Sequence, residues 1–167
     1  MNGTSETTFS PLMPITRGQF VTVLYNMENR PKTTFQVDRF KDVKKDDFFA
    51  LPVMWAAKND ITSGIASNLF GPNTSISREQ MAVMLYKFAR YKKCKVTTKA
   101  GALDNFYDKG QVSDWATKAL EWAVSNSIIN GKGTYMNTTK EILDPNGSAT
   151  RAECAQMIKN FMEKLEK

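Results

Sequence analysis

Three times along the chain, apolar residues recur four, seven, eight and eleven positions after a hydroxyl residue. They are Phe20, Val23, Leu24 and Met27 after Thr16, Met81, Met84, Leu85 and Phe88 after Ser77, and Cys154, Met157, Ile158 and Phe161 after Thr150. That spacing draws one face of an α-helix and predicts helices over about 16–29, 77–91 and 150–165. Each hydroxyl residue is followed three positions later by Gln or Glu, in the pairs Thr16 and Gln19, Ser77 and Gln80, and Thr150 and Glu153. This is a capping-box pattern, and each cap is worth about 1 kcal/mol to its helix. A second apolar pattern precedes two of these helices: Phe48, Leu51, Met54, Trp55 and Ile61 in one, Trp115, Ala119, Trp122, Ala123 and Ile128 in the other. Pro52 requires the earlier one either to start near Ala50 or to kink. Ser113 is the expected cap of the later one.

The two patterns repeat together. From proline through the hydroxyl residue to arginine the spacing is constant, from Pro11 to Arg17, Pro72 to Arg78 and Pro145 to Arg151. Trp55, Ile61 and Gly64 match Trp122, Ile128 and Gly131, Phe48 matches Trp115, and the third copy carries six extra residues in its loop. Gly3 falls at the place of Gly64, so the Trp-bearing helix of the first copy would lie before Met1. The expected organisation is a partial first repeat over 1–30, a linker over 31–39, a second repeat over 40–91, a linker over 92–105 and a third repeat over 106–167. The same reading expects this chain to be a piece of a longer protein, or another chain to supply the missing helix.

Composition changes the picture mainly by exclusion. Without histidine, a Ser-His-Asp or Cys-His catalytic set and histidine-ligated zinc are ruled out. Two cysteines far apart, Cys94 and Cys154, make no metal cluster and read as reduced thiols, with Cys154 on the apolar helix face. No cofactor or metal is expected, and the carboxylates at Asp46, Asp47 and Asp108 give no reason to expect an enzyme. No apolar run is long enough for a transmembrane helix, and 1–6 has no signal pattern, so any export signal would lie outside the chain. The net charge of +6 suits an acidic polymer, an anionic surface or nucleic acid, but no nucleic-acid recognition signature is present.

The candidate chemistry lies in the residue after each cap. Arg17, Arg78 and Arg151 stand in the first helical turn, where a cation opposes the helix dipole at a loss of roughly 0.3–1 kcal/mol. A helix start with free N–H groups and a guanidinium beside it suits a carboxylate, which points to an acidic ligand. The competing reading pairs each arginine with an acidic side chain from a neighbouring repeat. If the arginines only oppose the dipole, replacing Arg78 and Arg151 by Ala should cost little stability.

Taken in order, the Phe40-Lys41-Asp42-Val43 stretch, the Trp-Ala helix, the turn glycine, the Phe70-Gly71-Pro72 loop and the capped Arg resemble S-layer homology domains, modules that fasten bacterial surface proteins to the cell wall. The resemblance implies an all-α fold of three helix-loop-helix repeats about a pseudo-threefold central helical bundle, with the first repeat lacking its first helix. It implies no catalysis and no membrane insertion. It implies a location on the cell wall or S-layer of a Gram-positive-type bacterium, and grooves between repeats that hold an anionic, pyruvylated secondary cell wall polysaccharide. Of the family's Thr-Arg-Ala-Glu motif only Thr150-Arg151-Ala152-Glu153 is complete; Arg17 is followed by Gly18 and Gln19, and Arg78 follows Ser77 and has Gln80 in place of Glu. Asp42 and Asp108 match the family's F-x-D position, either shaping a groove by accepting hydrogen bonds or capping the following helix. Trp55 and Trp122 read as core, whereas Trp115 is the candidate for exposure and sugar stacking. The family's glycine before Ile is Asp60 and Ser127 here. A different class of reading is a helical interaction or assembly module without carbohydrate binding, which the half repeat favours because an unpartnered helix face invites a homo-oligomer.

Overall fold

In the computed structural model, which describes residues 3, 5, 7–136 and 138–165, five α-helices and one short 3-10 helix occur and no strand is present among those residues. Met1 lies outside the described residues. The helices are α1 (Arg17–Met27), α2 (Ala50–Lys58), α3 (Arg78–Tyr91), α4 (Asp114–Ser125) and α5 (Arg151–Leu165). The all-α expectation holds, and Pro52 sits in the first turn of α2, where its missing N–H costs nothing. All three capping boxes form. The cap hydroxyls accept from the Gln19, Gln80 and Glu153 N–H groups, each at 3.2 Å, and those three side chains accept from the N–H groups of Thr16, Ser77 and Thr150 in return. Ser113 is the N-cap residue of α4 but does not cap it through its side chain. Its hydroxyl instead donates to Glu79 Oε1 at 3.0 Å, tying α4 to the start of α3.

The copies close on one another through backbone. Ile15 N–H donates to Ala149 O, Ala149 N–H to Ile76 O and Ile76 N–H to Ile15 O, so the residue before each cap joins a three-membered ring. These residues are buried, as are Phe20, Leu24, Met81, Leu85, Phe88, Cys154, Met157 and Phe161 on the predicted helix faces. Val23 and Ile158 are only partly buried. The rings of Phe88 and Phe161 meet at 5.6 Å between centroids, which joins α3 to α5 further along.

The Trp-bearing helices cover the long ones. α2 packs on α1 and α4 on α3. Trp55 lies against Tyr25, Phe88 and Tyr91, and Trp122 against Tyr86 and Phe161, so both indoles are core as expected. The fit on α1 is close enough that a Cβ on Gly18 would come within 2.9 Å of the Phe49 ring and 3.0 Å of Pro72 O, which accounts for glycine after Arg17. Gly18, Val21 and Tyr25 on α1, and Glu79, Ala82 and Tyr86 on α3, are buried by this covering. The same register on α5 is Ala152, Ala155 and Lys159, and there Ala152 and Lys159 are exposed. Among the described residues no helix covers that face. Asp60 and Ser127, at the family's glycine position, have φ of 57° and 54°, the left-handed conformation for which glycine is the low-cost choice. Phe48, read as part of the apolar face, is largely exposed because it precedes the start of α2 at Ala50, and Leu51 in the first turn is partly exposed.

Burial separates the two thiols. Cys154 is fully buried, and desolvation pushes its thiol up to about 12, whereas Cys94 is half-buried. A thiol reagent at pH 8 should therefore label one cysteine in the native protein and two in denaturant, read by mass spectrometry. Rapid native labelling of Cys154 would contradict this packing.

Candidate functional site

Each helix start is fed by the loop of the next copy. The Arg17 and Gly18 N–H groups donate to Thr74 O and Pro72 O, those of Arg78 and Glu79 to Gly147 O and Pro145 O, and those of Arg151 and Ala152 to Met13 O and Pro11 O. With the third N–H on the cap hydroxyl, none of these first-turn donors is left for an anion. The expectation of open helix N-termini is therefore not met. The dipole is answered by loop carbonyls, which also explains why a cation is tolerated there.

The guanidinium groups follow the same direction. All three arginines are at most 4% exposed. Arg17 Nε donates to Phe70 O at 3.0 Å and Arg78 Nε to Leu143 O at 2.8 Å, and Arg151 Nε reaches Phe9 O at 2.9 Å. Arg17 and Arg151 also lie over the Phe70 and Phe9 rings, at 5.0 and 4.9 Å. Asp42 and Asp108 complete the arrangement. Asp42 accepts from the N–H groups of Phe70 and Gly71 at 2.9 and 2.7 Å, and Asp108 from those of Leu143 and Asp144 at 2.8 and 2.7 Å. Neither aspartate caps a helix. Each holds the N–H side of the peptide segment whose carbonyl receives the arginine, so Asp42, Phe70 and Arg17 form one chain of hydrogen bonds, and Asp108, Leu143 and Arg78 another.

The three joints between copies differ, and clefts lie at two of them. In the first, Arg17 Nη1 meets Gln80 Oε1 at 3.3 Å, and Nη2 makes no hydrogen bond within the described chain. Burial draws this guanidinium down to about 10, and Asp42 pulls it back up. The cleft it lines, about 460 Å³, has Ser63, Gly64, Gln80 and Lys87 along it and Trp115 from α4 as an outer wall. Trp115 is 59% exposed. In the second, about 220 Å³, the matching residues are Arg151, Gly3, Gln19, Asn26 and Phe48. At the third joint, Arg78 spends all its nitrogens. Nη1 meets Glu153 Oε1 at 3.0 Å and Nη2 donates to Asn130 O at 2.9 Å. Burial lowers Arg78, while Glu153, Asp144 and Asp108 counteract. Lys132 adds ion pairs to Asp144 at 2.7 Å and Glu153 at 3.2 Å, so this joint is neutralised from within.

The predicted site residues are thus not one cluster. Trp115 and Arg17 line one cleft and Arg151 another, Glu153 meets Arg78, and Thr150 caps α5 and bridges to Pro14 of the first copy. The competing expectation of an acid from a neighbouring repeat describes Arg78, with Glu153. Gln80 and Lys87 were missed as cleft residues. Lys87 was visible as the one cation where the other copies carry Asn26 and Asn160.

The fold is thus a ring of three capped helices closed through backbone at the joints between copies. The family model for the S-layer homology domain matches residues 1–21, 39–82 and 105–155, more than half of the chain, and the chain belongs to that family. It is 30% identical to an amylopullulanase of Thermoanaerobacterium thermosulfurigenes over 98% of this chain and 8% of that protein. It is 28% identical to a surface-layer 125 kDa protein of Lysinibacillus sphaericus, over 99% of this chain and 13% of that one. It is also 28% identical to a cellulosome-anchoring protein of Acetivibrio thermocellus, over 93% of this chain and 34% of that one. The chain therefore spans a third or less of the length of these relatives. Family membership places it at a cell-wall or S-layer surface, as an anchoring module. No helix among the described residues is long and apolar enough to cross a membrane.

Because the buried Arg78 is tied to the Leu143 and Asn130 carbonyls and to a carboxylate, Arg78→Ala should cost about 3 kcal/mol or more of the 5–15 kcal/mol typical of a domain, measured by urea unfolding. This reverses the sequence-based expectation of a nearly neutral change. A loss below about 1 kcal/mol would contradict the buried role.

Glu153 gives a pH test. Burial works to raise it, but the Thr150 N–H, Lys132 and Arg78 together outweigh burial and hold its carboxyl below the usual 4.5. A depressed carboxylate contributes stability that is full above the unfolded value and is lost as pH falls through the folded one. Wild type should therefore exceed Glu153→Gln in stability at pH 7, and the gap should close as pH falls below 4.5. A pH-independent gap in melting temperature would argue against it.

Proposed function

We propose that the chain attaches a larger surface protein to the wall without covalent bonds, by holding an anionic, pyruvylated secondary cell wall polysaccharide in the Arg17 cleft. The observation that carries this reading is the unspent Arg17 Nη2 in a cleft walled by an exposed Trp115. Arg17 has only a neutral side-chain partner, Gln80, so the cleft keeps net positive charge, which a ligand carboxylate can meet. An exposed indole in the lining beside that charge suits the apolar face of a sugar ring. Ser63, Gln80 and the backbone at Gly64 supply polar groups for hydroxyls. The module itself is non-catalytic, and the partner is the wall polymer. The Arg151 cleft, with Phe48 in place of Trp115, is a second and smaller place for the same ligand.

Purified wall sacculi should retain the protein, and sacculi stripped of their attached polysaccharide should not. Trp115→Ala should weaken retention about 2- to 10-fold, the value of one aromatic contact. Being exposed, Trp115 should change stability by no more than about 0.5 kcal/mol when replaced. Added salt should weaken retention further. Equal retention by stripped peptidoglycan would overturn the reading.

A further inference from the structure

We propose that the Arg17 cleft continues into a second anion subsite formed by Lys87 and Arg90 of α3, so that it accommodates an acidic glycan segment carrying at least two anionic groups. The inference rests on the reading of the cleft given above. Lys87 lines the Arg17 cleft and also a neighbouring depression of about 370 Å³, whose other lining residues are Asn59, Asp60, Arg90 and Tyr91. Lys87 and Arg90 are three residues apart on one helix and so share a face. Neither forms an ion pair among the described residues, whereas Lys92, Lys109, Lys132 and Lys159 each hold an acid. Asp60 is the one acid lining the depression, so two cations face one carboxylate there and a positive excess remains.

The copies themselves argue that these charges are not required by folding. In register, Lys87 corresponds to Asn26 on α1 and Asn160 on α5, and Arg90 corresponds to Asn29 and Glu163. Three helices of the same construction thus place two unpaired cations on only one of them, and that one lines the Arg17 cleft together with Trp115. From Gln80, which partners Arg17, to Arg90 the helix advances ten residues, or about 15 Å. That is longer than a single sugar ring, so a terminal acidic sugar at Arg17 leaves Arg90 unmet, and a second acidic group further along the glycan can reach it.

The test uses the whole chain and two synthetic probes in calorimetric titration: a monosaccharide bearing one pyruvate ketal, and an oligosaccharide bearing ketals on two successive repeating units. Arg90→Glu should weaken the longer probe roughly fivefold, as expected for reversal of an exposed charge, and leave the shorter one unchanged. The matching negative charge just beyond α1, Asn29→Glu, should alter neither, and circular dichroism should show both variants folded. Three outcomes overturn the second subsite: unchanged affinity of Arg90→Glu for the longer probe, equal loss for both probes, or equal loss in Asn29→Glu. If wild type binds neither probe, or Trp115→Ala leaves the shorter probe unaffected, the underlying reading of the cleft fails and the second subsite falls with it.

Discussion

The structure depends on the carbonyls that each loop turns toward the helix start of the preceding copy. A helix start concentrates unpaired donors and positive potential, and a loop that presents successive carbonyls is its complement. Here the carbonyls of residues 72 and 74 meet the first N–H groups of α1, those of 145 and 147 meet α3, and those of 11 and 13 meet α5. Each bond is worth about 1 kcal/mol net, but a buried N–H without an acceptor costs more than that. No copy can satisfy its own helix start, so the three must close as a set. The fixed spacing from proline to arginine is the sequence record of this exchange, since one residue more or fewer would put a different carbonyl at the helix start.

The arginines extend the exchange from backbone to side chain. A guanidinium in the first turn works against its own helix dipole, yet it lies close to the carbonyl-rich loop that answers that dipole. In two copies, an aspartate pulls the same loop segment from its N–H side. Asp42 and Arg17 form no ion pair with each other; they grip opposite sides of the peptide groups at Phe70, and burial then makes every bond in that chain costly to leave unmade. The F-x-D position and the arginine position are therefore one device, separated by 25 residues within the Asp42 case and completed only when the neighbouring copy arrives.

This explains what could be read from the sequence and what could not. Helix faces, caps and copy register follow from local spacing, and the exposure of Trp115 followed from its place near a helix start. Phe48 occupies the matching place and is exposed too, which its apolar character concealed. The partners of the arginines were hidden, because Phe70 O, Leu143 O and Phe9 O are backbone atoms up to 142 residues away and carry no compositional signal. Charge showed that something negative must sit there; it did not show that carbonyl oxygens supply much of it. Neighbours in sequence at the start of α5 serve different joints for a geometric reason. Arg151 at the first helical position turns toward the next copy's loop, while Glu153 two residues on turns to the other side, where the preceding copy's Arg78 arrives.

Pseudosymmetry then gives the exceptions their meaning. Where three joints share the same backbone exchange, differences between them are free of the fold and can follow the ligand. Gln80 and Glu153 occupy the same capping-box position, and both complete their box, so the neutral side chain beside Arg17 is not dictated by capping. Its effect is electrostatic: Arg17 retains its charge for the cleft, while Glu153, shared by Arg78 and Lys132, closes the third joint on itself. The same logic applies along α3, where cations replace the asparagines of α1. One scaffold repeated three times thus separates a joint that serves the fold alone from a joint that also keeps positive charge, and the separation is made by a handful of side chains that the repeat pattern leaves unconstrained.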